Sequence, residues 1–213
     1  MTLDDTIQAV KQALETAPER KFTESVDIAI NLKNIDMSQP ANRVDEEIIL
    51  PNGLGKSIKI AVFAKGDIAQ RATKAGAEMI LDPEEIESLR DNKNKARELA
   101  NNIDFFVSDV AYMPIIAKSL GPVLGPRGKM PEPLTPEKNI EDVIRKAKNS
   151  IRVRSKDKLT FHIPVGRRDM DPKELAQNVQ SIIDVIEHKL EKGKQNIRSV
   201  YVKTTMGPAV KVM

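Results

Sequence analysis

The stretch 26-VDIAINLKN-34 decides the fold, because apolar and polar residues alternate strictly along it. The apolar members of the stretch are Val26, Ile28, Ile30 and Leu32. Side chains point alternately to opposite faces of a strand, so these four lie on the same side. The pattern predicts a strand with one buried and one solvated face, as in an antiparallel sheet that is open on one side.

The last quarter of the chain repeats this pattern. Apolar residues again alternate with polar ones in 158-KLTFHIPVG-166 and in 198-RSVYVKTT-205. Amphipathic helices are predicted over residues 3–16 and from Asp171-Pro172 to about Lys192. The two ends of the chain therefore have an α+β character.

The middle of the chain has a different rhythm. Short apolar segments, 57-SIKIAVFA-64, 78-EMIL-81 and 105-FFVSD-109, alternate with helical ones. A short helix, capped by Asp67 with Gln70, is predicted to end at Gly76. Such alternation is typical of βαβ units with a parallel sheet covered on both faces. We infer a discontinuous first domain with a second domain inserted into it.

Composition excludes several classes of protein. The chain has 213 residues, of which 40% are apolar and 31% charged, as in a globular protein. No cysteine is present, which excludes disulfides, thiolate metal sites and cysteine nucleophiles. The apolar runs are too short to span a bilayer, and the N-terminus is acidic where a signal peptide is basic. A cytoplasmic protein without membrane contact is expected.

The charge is distributed unevenly, although the net charge is only +3. Nine basic residues and one acid lie between Arg145 and Arg168, and five basic residues and no acid lie between Lys192 and Met213. A single charged run is usually a solvated face, but two basic runs in the last third favour a polyanionic partner.

The stretch 121-GPVLGPRGKMP-131 has the composition of a phosphate-binding loop without its pattern. The nucleotide-binding motif requires glycine and a hydroxyl where the chain has Val123 and Met130. The histidines, His162 and His188, have no second histidine nearby to complete a metal site. No cofactor or metal is expected, and the chain is not predicted to be an enzyme. An enzyme would bind its ligand at the carboxyl ends of the parallel strands, where no catalytic groups are found.

With only seven aromatic residues, stacking along single-stranded RNA is not favoured. Recognition of folded RNA by shape remains open, and 204-TTMGP-208 fits it. Two hydroxyls can bond to ribose or phosphate, and Gly207 has no side chain to hold RNA away. A strand that simply ends in a Gly-Pro turn explains these residues equally well. A nonspecific basic RNA-binding protein is a further alternative.

Several motifs together resemble a known family. They are 21-KFTESVDIAINL-32, 51-PNGLGK-56, 118-KSLGPVLGPRGKMP-131, 162-HIPVG-166 and 200-VYVKTTMGP-208. In the same order they resemble the family of the first protein of the large ribosomal subunit, ribosomal protein L1, in its archaeal form. The resemblance covers nearly the whole chain.

The resemblance implies the fold in detail. It implies a discontinuous split β-α-β domain of residues 1–64 and 158–213, which binds RNA. A three-layer α/β, Rossmann-like domain of residues 65–157 is implied to be inserted through a two-stranded hinge.

The resemblance also implies a function. The protein would bind large-subunit rRNA directly and form the mobile stalk that takes part in release of deacylated tRNA from the exit site. It would also repress translation of its own mRNA through a similar RNA fold. The expected protein is a monomer when free and is located on cytoplasmic ribosomes.

Site residues are implied position by position. RNA contacts are implied for Phe22, Glu24, Ser199, Thr205, Met206 and Gly207, and we add His162, Gly166 and Arg167. Arginine stands at position 167 where many members have lysine. Secondary phosphate contacts are expected from Lys118, Arg127 and Lys129 in the inserted domain.

Overall fold

The computed structural model describes residues 2–135 and 139–213. Its strands are β1 (Ser25–Leu32), β2 (Asp45–Ile49), β3 (Ile60–Phe63), β4 (Met79–Leu81), β5 (Phe105–Asp109), β6 (Glu132–Leu134), β7 (Ser150–Arg154), β8 (Thr160–Arg167), β9 (Ile197–Thr204) and β10 (Val210–Lys211). Its helices are α1 (Leu3–Glu15), α2 (Asp67–Lys74), α3 (Pro83–Asp91), α4 (Lys93–Asn102), α5 (Met113–Ser119), α6 (Gly121–Leu124), α7 (Ile140–Asn149) and α8 (Pro172–Lys189).

The chain forms two compact units. Unit 1 consists of Met1–Lys56 and Asn149–Met213, and unit 2 of Ser57–Lys148. The family resemblance implies boundaries near residues 64 and 158 instead. The difference arises because β3 pairs with β4 and β5 inside unit 2, whereas β7 pairs with β2 inside unit 1.

Unit 1 contains an antiparallel sheet with strand order β10-β9-β1-β8. The four apolar residues of β1 are at most 3% exposed and pack with apolar residues of α1 and α8, such as Val10 and Ile182. The other face of β1 is half-buried and polar. The alternating pattern therefore predicted the strand and its buried face correctly.

A separate two-stranded sheet in unit 1 is formed by β2 and β7, which pair antiparallel. Arg152 and Arg154 of β7 each donate from Nε to the carboxylate of Asp45, at 2.8 and 3.1 Å. The hydrogen bond from Arg152 is the main reason that the pKa of Asp45 is lowered. Two cations of the basic run thus share one carboxylate within the protein.

Unit 2 is a parallel sheet with strand order β4-β3-β5-β6 and helices on both faces. Phe63 and Phe106 stack at 5.7 Å between ring centroids on the face that also buries Ile116. Val62 and Ile144 belong to the cluster on the opposite face. The predicted α/β architecture is confirmed.

Local details differ from the sequence-based expectations. Gly66, with φ of 69°, is the residue that precedes α2, and no side chain caps this helix. Asp67 lies in the first turn and pairs with Arg71 at 3.0 Å, so the predicted cap by Asp67 and Gln70 is wrong. The stretch from Gly121 begins with the short helix α6 rather than a loop. Within the described residues, no helix has the length and apolar character needed to cross a membrane.

Candidate nucleic-acid interface

The 204–207 turn, Thr204 to Gly207, is held by hydrogen bonds on its inner side. The backbone N–H of Met206 donates to Oε1 of Glu24 at 2.8 Å, and the N–H of Gly207 donates to the hydroxyl of Thr204 at 3.0 Å. The hydroxyl of Thr205 accepts from the backbone N–H of Ser25 at 3.2 Å. The turn that follows β9 is therefore fixed to the segment that precedes and begins β1.

The carboxylate behind this turn belongs to Glu24, which is completely buried. Nη1 of Arg168 donates to its Oε2 at 2.9 Å. Burial by itself raises the pKa of Glu24, but the hydrogen bonds from the Met206 backbone, Arg168 and Thr204 prevail and lower it. Glu24 is therefore an internal anion in this structure, at a position where the family resemblance implied an RNA contact.

Two large apolar side chains are exposed beside this buried network. Phe22 and Met206 are each 55% exposed, which makes them the most exposed large apolar residues that the structure describes. Phe22 lies two residues before Glu24, and Glu24 bonds to the backbone of Met206. Large exposed apolar side chains next to a hydrogen-bonded turn are candidates for contact with a partner.

The two glycines of the predicted site are buried and have an internal role. A Cβ on Gly207 would collide with the Thr204 hydroxyl and lie 3.0 Å from Cβ of Ala17. A Cβ on Gly166 would lie 2.7 Å from Sδ of Met170. At both positions protein atoms occupy the space that a side chain would need.

The open face of the unit 1 sheet carries the remaining predicted residues. His162 lies on β8 opposite Ala29 of β1, and Ser199 lies on β9 opposite Asn31. Asn31 joins the two strands that flank β1, because its Nδ2 donates to Ser199 Oγ at 2.9 Å and its Oδ1 accepts from Thr160 at 2.7 Å. Ser199 is only 8% exposed.

The same face also carries a carboxylate, that of Asp27. Lys203 is opposite Asp27 in the register of β9 and β1. Burial raises the pKa of Asp27, while the positive charges of His162 and Lys203 act in the opposite direction. The open face thus offers hydroxyl, amide and cationic groups along the length of β1.

The structure separates the predicted residues into two sets. The exposed or half-buried ones are Phe22, His162, Arg167, Thr205 and Met206, and the buried ones are Glu24, Gly166, Ser199 and Gly207. The Arg167 side chain is 35% exposed and, within the part of the chain that the structure describes, has only a 4.0 Å ion pair with Asp169. The buried set supports the positions of the exposed set.

The basic residues of unit 2 that are predicted to contact phosphate also fall into two groups. Lys118 and Arg127 are exposed, and Arg127 donates to the backbone oxygen of Val123 at 3.0 Å. Nζ of Lys129 donates to the carbonyl oxygens of Ala100 and Ile103, at 2.9 and 2.6 Å. Lys129 therefore caps the carboxyl end of α4, and its predicted phosphate contact would have to be made by an ammonium that is already bonded within the protein.

Sequence reasoning missed Arg168 as a specific residue, counting it only as part of a basic run. The contacts that define its role come from segments far away in the chain, since Glu24 is 144 positions distant. The adjacent Arg167 has the same residue type and a different environment, so residue type carried no usable signal.

Comparisons with known proteins agree on one family. Residues 11–208 match the ribosomal protein L1p/L10e family. The chain is 61% identical to the large ribosomal subunit protein uL1 of Methanococcoides burtonii and 60% identical to that of Methanocella arvoryzae, over the full length of both proteins in each case. It is 47% identical to the protein of the same name from Archaeoglobus fulgidus over 210 residues, 99% of this chain and 98% of the other. The chain therefore belongs to the ribosomal protein L1p/L10e family, in its archaeal form.

Proposed function

We propose that this protein binds a folded element of large-subunit rRNA through an RNA surface made of Phe22, Thr205, Met206, Arg167 and the open face of the unit 1 sheet. The observation that carries the proposal is the exposure of Phe22 and Met206 beside a turn whose backbone is fixed from the inside. A nonpolar contact of this kind suits the riboses and unpaired bases of a folded RNA.

Membership of the family settles the coarser part of the function. The chain is a structural, non-enzymatic component of the ribosome and resides on cytoplasmic ribosomes. The alternative of an enzyme that uses the parallel sheet is therefore not retained.

The burial of Glu24 removes an electrostatic objection to RNA binding at this turn. An exposed carboxylate would repel phosphates, whereas the charge of Glu24 is paired with Arg168 at 2.9 Å and has no exposed surface. What the RNA would meet is instead the hydroxyl of Thr205, the side chain of Met206 and the cation of Arg167.

The finer functions are proposed on the family likeness. On this proposal the protein forms the mobile stalk that helps to release deacylated tRNA from the exit site. It also represses its own mRNA when that message presents a similar RNA fold to the same surface. Lys118 and Arg127 of unit 2 are exposed cations that would make secondary phosphate contacts.

The test is a binding titration with two RNAs of equal length across a salt series. One RNA is the stalk element of the large-subunit rRNA, and the other is a scrambled duplex. We expect a preference of at least about 100-fold, or roughly 2.7 kcal/mol, that persists as salt is raised. Equal affinities that fall together with salt would support the nonspecific basic binder and overturn the proposal.

A third RNA, the leader of the protein's own message, tests repression separately. Competition between this leader and the rRNA element for one site would support the regulatory role. Failure of the leader to displace the rRNA element would remove that role and leave rRNA binding intact.

A further inference from the structure

Arg168 lies directly behind the proposed RNA surface and is not part of it. Its side chain is 26% exposed. The guanidinium donates to the Glu24 carboxylate at 2.9 Å and to the carbonyl oxygens of Pro18, Ala17 and Leu14 at 2.9, 3.1 and 3.5 Å. The carbonyl of Leu14 is in the last turn of α1, where carbonyls have no partner within the helix. Arg168 thus joins the end of α1 to the segment before β1.

The contacts of Arg168 continue to the 204–207 turn by two routes. Glu24 receives Arg168 on Oε2 and the backbone N–H of Met206 on Oε1. Gly207 packs against Ala17, whose carbonyl also bonds to Arg168. The turn is therefore attached both to Glu24 and to Ala17, the two residues that Arg168 joins.

Loss of the guanidinium would affect Glu24 first. The buried carboxylate would keep neutral donors but lose its only ion-pair partner among the described residues, and an unpaired buried charge is strongly unfavourable. Glu24 would then take up a proton or turn toward water. Either response weakens the hydrogen bond that the Glu24 carboxylate accepts from the backbone of Met206. The side chain of Met206 is exposed and receives no other support from this carboxylate.

We infer that Arg168 is a positioning residue that fixes the 204–207 turn, through Glu24, in the conformation that binds RNA. This inference rests on the proposed RNA-binding function and adds a residue that makes no contact with RNA. A turn fixed before binding loses less conformational freedom in the complex, which raises affinity.

The neighbouring Arg167 provides the contrast that makes the inference testable. Its side chain is 35% exposed and, among the described residues, has only the long contact to Asp169. A cation that contacts phosphate contributes to the salt dependence of binding, and its removal lowers the slope of log K against log salt by about 1. Arg168 acts from inside the protein, so its removal lowers affinity at every salt concentration without changing the slope.

Arg43 is a matched structural control. It donates to two backbone carbonyls in unit 1, those of Met37 and Ser38, at 3.1 and 3.3 Å. These residues follow the carboxyl end of β1, whereas Glu24 precedes its amino end. Arg43→Met thus removes arginine–carbonyl bonds of the same kind without touching the turn.

The experiment compares full-length wild type, Arg168→Met, Arg168→Lys, Arg167→Met and Arg43→Met at a temperature where each is folded. Affinity for the stalk rRNA fragment is measured across a salt series, and hydrogen exchange of the Met206 amide is measured in the free proteins. We expect Arg168→Met to bind at least tenfold more weakly with an unchanged salt slope and to exchange the Met206 amide at least tenfold faster. Arg168→Lys keeps the positive charge but has fewer directed donors, so its affinity and its exchange rate should lie between those of wild type and Arg168→Met. This variant remains the test if Arg168→Met does not fold.

The other variants should behave differently. Arg167→Met should lower the salt slope without faster exchange at Met206, and Arg43→Met should change neither affinity nor that exchange rate. Wild-type affinity in both Arg168 variants, or a reduced salt slope in Arg168→Met, overturns the inference and leaves the proposed function standing. Lack of preference by the wild type for the stalk fragment instead refutes the proposed function itself.

Discussion

At the scale of single residues, buried Glu24 and its partly buried partner Arg168 illustrate two different tasks of residues at the proposed RNA surface. Glu24 shapes the turn without being accessible, and Met206 is accessible without shaping it. Substitutions at the two positions should therefore affect different properties of the protein.

The role of the exposed Met206 side chain can be tested by substitution. Met206→Asp places a negative charge on a side chain that is 55% exposed, so we expect little change in stability and at least about tenfold weaker RNA binding, or ~1.4 kcal/mol. Met206→Leu keeps the apolar surface and should bind nearly as the wild type does. Fluorescence anisotropy with the labelled stalk fragment measures both, and normal affinity of the aspartate variant would remove this side chain from the surface.

The role of the buried Glu24 carboxylate can be tested through the pH dependence of stability. Its pKa in the folded protein is below the ordinary value of 4.5, so the ionised form stabilises the fold above that pH. As pH falls below 4.5, the unfolded chain takes up a proton that the folded protein does not, and this stabilisation is lost. We expect the free energy of unfolding of wild type, relative to Glu24→Gln, to decrease between pH 5 and the folded pKa. Urea unfolding of both proteins at several pH values measures it, and a constant difference would contradict the assignment.

At the scale of elements, alternation of apolar and polar residues was sufficient for β1, β8 and β9, because each has one face against the helices. It was insufficient for β7, where the sequence 150-SIRVR-154 was interpreted only as part of a basic run. Asp45 is the carboxylate that pairs with the arginines of β7, and it lies 107 positions before Arg152 in the chain. The exposed residues of the proposed site come from the family resemblance and stay a prediction, and the burial of Glu24 could not be predicted from spacing.

Lys129 gives a prediction at the level of one helix end. Its ammonium donates to two carbonyls at the end of α4, so Lys129→Met should destabilise unit 2 by about 2 kcal/mol. Arg127→Met is the matched comparison, because Arg127 is exposed and reaches a single carbonyl. Thermal unfolding followed by circular dichroism measures both, and equal melting temperatures for the two variants would contradict the capping role.

At the scale of the whole molecule, unit 1 contains every residue of the proposed RNA surface. Replacing Ser57–Lys148 by a short linker should therefore leave a folded protein with most of the affinity for the stalk fragment. Titration of the shortened protein, after circular dichroism has verified its fold, measures this. Loss of binding by a folded remainder would move the main RNA contact to unit 2.

The pairing of β1 with β8 and β9 has a consequence for the order of events during protein synthesis. Ser25 and Thr205, which bond to each other, are 180 positions apart, so at about 5–20 residues per second β1 waits roughly 9–36 s for β9 to be made. Unit 2 is a continuous segment and is complete long before that moment. A partly synthesised chain therefore lacks the proposed RNA surface, and on our proposal only a chain synthesised beyond Thr205 can bind rRNA or the message from which it was translated.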